Sequence, residues 1–70
     1  MKKAYQLNVC AIGIQAEDGK DFALVIPAGA ILNHLREEKG FAICAWEGHE
    51  IRLLSFDLWQ RGALVRLSAN

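Results

Sequence analysis

The stretch that decides the fold is "AILNHLREEKG", Ala30 to Gly40. Two periods compete in it. At helical spacing, Ile31, Leu32 and Leu35, with Ala28 just ahead, make an apolar stripe, and Gly40 stands where a helix-ending glycine belongs. At strand spacing, Ile31, Asn33 and Leu35 alternate with Leu32, His34 and Arg36, a weaker pattern. Local propensity favours the helix. The flanking sequence favours the strand, because extended segments lie on both sides. The strand reading gives a mainly all-β chain. The helix reading gives the alternative, an α+β chain with a helix near residues 28–39. The strand is the expectation carried forward.

Downstream, "FAICAW" (Phe41–Trp46) reads as a buried strand, Phe41, Ile43 and Ala45 against Ala42, Cys44 and Trp46. Glu47-Gly48 closes a two-residue hairpin in which glycine supplies a positive φ. "HEIRLLSF" (His49–Phe56) is its partner, with Ile51 and Leu53 on one face and Arg52, Leu54 and Phe56 on the other. "DLWQRG" (Asp57–Gly62) reads as one helical turn, with Asp57 as N-cap, Gln60 three residues later as in a capping box, and Gly62 as the C′ glycine. "ALVRL" (Ala63–Leu67) is a last short strand. Upstream, "DFALVI" (Asp21–Ile26) is a strand that Pro27 ends. "PAG" turns with Gly29 at positive φ, and Asp18-Gly19 is a hairpin dipeptide. In "AYQLNVCAIGIQ" (Ala4–Gln15) the apolar face switches from Tyr5, Leu7 and Val9 to Cys10, Ile12 and Ile14. One strand with a bulge or bend near Val9 and Cys10 accounts for the switch.

This order predicts a small antiparallel β-barrel of about five to six short strands with one helical turn before the last. The pattern resembles a Src-homology-3-like barrel. The chain also resembles a group of short uncharacterised bacterial proteins with an "IPAG" turn, a following strand, a "WEG" hairpin and an acidic-Leu-x-x-Arg-Gly turn. The matching residues are Ile26, Pro27, Ala28 and Gly29, then Trp46, Glu47 and Gly48, then Asp57, Leu58, Arg61 and Gly62. They span roughly the C-terminal two-thirds of the chain. "HLREEKG" departs from the group in being more helix-prone. The resemblance implies a fold and carries no activity with it.

Seventy residues make one domain, 1–70, with a small core of marginal stability. Yet 53% of the residues are hydrophobic, a high share even before glycine is counted. Apolar side chains stand on both faces of the first, second and fourth predicted strands, and the surplus face must meet another surface. The expected partner is a second copy, as a homodimer or other homo-oligomer, beside a protein partner that the sequence leaves unidentified. Formal net charge is +0, so nucleic acid is not the expected partner, since phosphate binding needs an excess of Lys and Arg on one face. Cys10 and Cys44 sit among apolar neighbours without a CxxC pattern and read as reduced, buried thiols. No signal-peptide core and no apolar run long enough to span a bilayer is visible, so the expected setting is the cytoplasm of a bacterium.

Four side chains are candidates for binding: Trp46, Trp59, Arg52 and Arg61. Tryptophan is enriched in interface cores and stacking platforms, although each indole also fits a barrel core. Arg36, Arg52, Arg61 and Arg66 would form a stripe if the last strands pack side by side, the arrangement an RNA-binding small barrel would use. His34, His49, Cys10 and Cys44 stand singly, without zinc-ligand spacing, so neither a metal nor another cofactor is expected. His49 reads as a solvated turn residue, and Glu37, Glu38, Glu47 and Glu50 as solubilising charge. No nucleophile–base pair has a defensible spacing, and no catalytic residue is assigned. The function expected is a non-catalytic protein-interaction module that self-associates. The alternatives are an RNA-binding small barrel and a small enzyme or enzyme subunit.

Overall fold

The computed structural model describes residues 3–65. Seven strands and one helix follow in order: β1 (Lys3–Leu7), β2 (Ala11–Glu17), β3 (Lys20–Ile26), β4 (Ile31–Glu38), β5 (Phe41–Trp46), β6 (His49–Leu54), α1 (Ser55–Arg61) and β7 (Gly62–Val65). The fold is mainly antiparallel β with a short helix before the last described strand. The alternative helix near residues 28–39 is absent, because β4 occupies that stretch. What makes Ile31–Glu38 a strand is pairing on both sides: Asn33 faces Ala45 on β5 and Ala4 on β1.

Three two-residue hairpins build most of the sheet. Asp18-Gly19, Lys39-Gly40 and Glu47-Gly48 each hold positive φ at both positions, the primed-turn geometry whose twist suits paired strands. Gly40, which the alternative helix would have used as its stop, turns β4 into β5. The face switch after Leu7 is a break between two strands. β1 ends there, β2 begins at Ala11, and the two do not pair with each other.

The strand order is β3-β2-β6-β5-β4-β1-β7, with every neighbouring pair antiparallel. The ladder is not closed: β3 and β7 are its two edges, so the expected barrel is a compact open sheet of seven strands. The sheet nevertheless curls. Ile26 on β3 and Leu7 on β1 belong to one buried cluster, although five inter-strand steps of a flat sheet would separate their strands by ~24 Å. Hydrogen bonds from Leu7 N–H to Ala30 O (2.9 Å) and from Gly29 N–H to Leu7 O (2.8 Å) fasten the end of β1 to the turn after β3. The core inside this curl is Leu7, Ala11, Ile26, Leu32, Ala42, Cys44, Ile51, Leu53 and Leu58.

The helix α1 starts earlier than its sequence indicates. Leu54 is the N-cap, no side chain caps it, and Asp57 lies inside the first turn. Asp57 is therefore a half-buried partner of Arg61 at 4.0 Å rather than a cap. Leu58 is fully buried and anchors the helix to the sheet. Gly62 is extended, at φ −124°, and opens β7 directly instead of ending the helix in a left-handed turn. No helix among the described residues is long and apolar enough to cross a membrane.

Candidate interaction surface

The register separates the side chains of β2 to β6 into two faces. Ala42, Cys44, Ile51 and Leu53 point into the curl. On the outer face, cross-strand pairing aligns Val25 with Ile12, and Leu54 with Phe41. Antiparallel continuation of the Ile14–Arg52 pair places Ile12 level with Leu54. The result is an apolar row, Val25–Ile12–Leu54–Phe41, crossing four strands. Val25 is 60% and Ile12 58% exposed. A shallow depression of ≈ 250 Å³ lies along the row, lined by Ile12, Ile14, Phe41, Arg52 and Leu54, with Asp57 at its end.

The next row on this face is Ala23–Ile14–Arg52–Ile43–Arg36. Ile43 is only 6% exposed there, since its cross-strand neighbours on either side are arginines whose stems cover it. Each of these arginines has a carboxylate. Arg52 Nη2 is 3.4 Å from Asp21, and its guanidinium lies 5.5 Å from the centre of the Phe41 ring. Arg36 donates to Glu38 at 2.7 Å and to Glu50 at 3.4 Å, and the Glu38 hydrogen bond is the main reason its pKa is raised. Arg61 pairs with Asp57 and donates to Cys10 O at 3.3 Å. The expected stripe is thus two local ion-pair groups on the outer face and one at the helix. Arg66, its fourth member, and the end of "ALVRL" lie outside the described residues.

The four candidate binding residues do not converge. Trp46 is half-buried against the core from the inner face of β5, while Arg52 stands on the outer face of β6. Trp59 is 58% exposed and shares the outward side of α1 with Phe56, three residues earlier. Trp59 is therefore a surface residue, and Leu58 is what the helix contributes to the core.

The β2–β3 hairpin carries a run of exposed apolar side chains. Ile14–Arg52 is the one registered pair that joins it to β6. Side-chain bonds from Gln15 to His49 (3.3 Å) and from Arg52 to Asp21 tether its outer half. Val25 and Ile12 are bare on the outer face, and Phe22, on the inner face beyond the end of the core, is 50% exposed. The molecule measures 39 × 23 × 22 Å, so its long axis has room for such an arm. Its base is anchored by Ala11 and Ile26 in the core, but a two-stranded ribbon is marginal in water where neither face is covered.

One polar cluster escaped the sequence reading. A bulge at Leu35 shifts the register between His34 and Arg36, so that His34 and Glu37, opposite Cys44 and Ala42, face the same side of β4. His34 Nε2 sits 2.7 Å from Glu37, and the buried Ser55 hydroxyl donates to the other carboxylate oxygen. The Tyr5 ring meets His34 edge-on at 6.3 Å. Ser55 and then His34 hold the Glu37 carboxyl below its ordinary range. Glu37 is thus a tied-down group at the lip of the core rather than a solubilising charge. In this order the hydroxyl proton points at a weakened base, the reverse of what a nucleophilic serine needs. Period-two reasoning alone could not place positions 34 and 37 on one face; only the bulge does.

The cysteines divide. Cys44 is buried, and desolvation, with Glu37 nearby, pushes its pKa up to about 11. Cys10 is exposed in the break between β1 and β2, contrary to the expectation that both are buried. Among the described residues, no group of three His, Cys, Asp or Glu side chains is placed to hold a metal. No family model, no curated protein and no solved structure matches the chain.

Proposed function

We propose that the protein is a non-catalytic interaction module that works as a homo-oligomer in the bacterial cytoplasm. The observation that carries this reading is the β2–β3 arm, bare along its outer face and at its inner tip, with Phe22, Val25 and Ile12 each half or more exposed. Apolar surface of this kind on a small domain marks a contact site. A zero formal charge removes long-range repulsion between copies. An exposed free thiol at Cys10 fits a reducing compartment. The test is sedimentation equilibrium across the micromolar range. The expected result is a mass that rises with concentration from 7.8 kDa towards twice that value. A single species of 7.8 kDa at every concentration refutes the proposal.

A further inference from the structure

The free edge of β3 has a definite chemistry. Glu17 and Lys20 flank the Asp18-Gly19 turn and pair with each other, so the turn hydrogen bond directs the Lys20 N–H toward β2. Backbone groups then alternate along an antiparallel strand. Those of Phe22, Leu24 and Ile26 point inward to β2, and those of Asp21, Ala23 and Val25 point out from the edge. None of these last three takes part in a backbone hydrogen bond to a loop, turn or cap among the described residues. Exposed edges usually carry a lysine, a proline, a bulge or an inward-pointing charge as protection. β3 has Lys20 at its first position and Pro27 just past its end, but from Phe22 to Ile26 it has none of these.

We infer that two copies join edge to edge through β3, antiparallel, with Ala23 opposite Ala23 of the second copy. This rests on the self-association proposed above and names the element that performs it. The three outward-facing residues are symmetric about Ala23, so a two-fold axis there satisfies all of their free groups at once. Asp21 then stands opposite Val25 of the second copy, and Phe22 opposite Leu24. The second pairing covers the half-exposed Phe22 ring twice over, once in each copy. Registers centred on Leu24 or Val25 bring Pro27, which has no N–H, into the pairing and lose bonds. The strand direction follows from charge. Glu17, Asp18 and Asp21 make the arm tip acidic despite Lys20. A parallel pairing would set the two tips side by side, whereas the antiparallel one separates them by roughly 20 Å, the length of the strand. Asp21 is already paired with Arg52, so its carboxylate meets the opposing Val25 with its charge offset. The product is a continuous four-stranded ribbon, β2–β3 of one copy joined to β3–β2 of the other.

Strands of this length bury on the order of 1,000 Å² between two copies, at the lower end of specific interfaces. An interface of this size fits a weak dimer that dissociates in the micromolar range. The test uses the full chain and the variant Ala23→Pro. Proline at position 23 removes an N–H that the monomer leaves unpaired, so no bond within the sheet is lost. The dissociation constant should rise by about tenfold or more, while the far-ultraviolet circular dichroism is retained. Hydrogen exchange of the wild type gives a second readout that needs no variant. The Ala23 and Val25 amides should exchange slowly well above the dissociation constant and fast well below it. If the wild type dimerises while these amides stay fast, or Ala23→Pro dimerises as well as wild type, the β3 pairing is overturned and self-association stands. A wild type that is monomeric throughout overturns both.

Discussion

Gly62 offers the sharpest test of how the helix joins the last strand. A Cβ built there would lie 2.9 Å from the Leu58 carbonyl oxygen, 3.4 Å from the Gln6 carbonyl oxygen and 3.5 Å from Tyr5 Cβ. The first distance is about half an ångström inside ordinary contact, and the obstacle is backbone. The same Leu58 oxygen accepts the Gly62 N–H, and Gly62 pairs with Leu7 on β1. Relief therefore requires the corner between α1 and β7 to open against hydrogen bonds on two sides. Overpacking of this kind costs ~1–3 kcal/mol. At roughly 4–8 °C per kcal/mol for a domain of this size, Gly62→Ala should lower the melting temperature by about 5–20 °C. Gly62→Asn separates the two possible reasons for the glycine. Asparagine tolerates the left-handed conformation of a C′ position, but at an extended residue its Cβ meets the same oxygen as that of alanine. Gly48→Asn is the control, since Gly48 holds φ +79° with nothing within 4 Å of its would-be Cβ. That change should cost less than about 1 kcal/mol. The assay is thermal unfolding followed by circular dichroism. A Gly62→Ala protein melting within about 2 °C of wild type, or a Gly62→Asn protein more stable than Gly62→Ala, would refute the close-approach reasoning.

Thiol labelling of the native protein should be biphasic, with Cys10 reacting quickly and Cys44 only on unfolding, because Cys44 is buried and its pKa stands at about 11; two equally fast thiols would contradict the burial of Cys44. Since Glu37 has a lowered folded-state pKa, its stabilising contribution is complete above the ordinary carboxylate value of 4.5 and is lost as pH falls through the lower folded value. Melting temperatures measured from pH 6 downward should accordingly fall more steeply for wild type than for Glu37→Gln, and parallel curves would remove Glu37 from the acid response. Asp57→Ala should cost about 0.5 kcal/mol in urea unfolding at low salt and close to nothing at 1 M salt, as befits a first-turn carboxylate that solvent reaches. A loss of ~1 kcal/mol that persists in salt would mark a capping hydrogen bond instead.

Local chemistry was legible wherever a short stretch fixes its own backbone. Asp18-Gly19 and Glu47-Gly48 demand positive φ, Pro27 cannot extend a ladder, and the alternation in "FAICAW" puts Cys44 and Ile43 on opposite faces. The apolar surplus on the second face of "DFALVI" was legible too, and it reappears as the bare Val25 of the arm. Where residues far apart in the chain had to meet, the sequence was silent. Ile31–Glu38 looks helical because the bulge at Leu35 breaks its period of two; β1 and β5, pairing on either side, make it a strand. Asp57 has the composition of a cap, but the chain leaving β6 enters the helix two residues earlier, where Ser55 reaches Glu37. Trp59 and Leu58 are equally apolar neighbours, and only the position of the sheet beneath the helix decides that Leu58 is buried and Trp59 is not. The same holds for closure. Strand number and alternation are properties of segments, whereas the joining of β3 to β7 depends on how far the sheet curls, and it stops with both edges open. The physical reason is range: turn geometry and alternation act over two to four residues, while face, edge and closure are fixed by pairings between segments far apart in sequence.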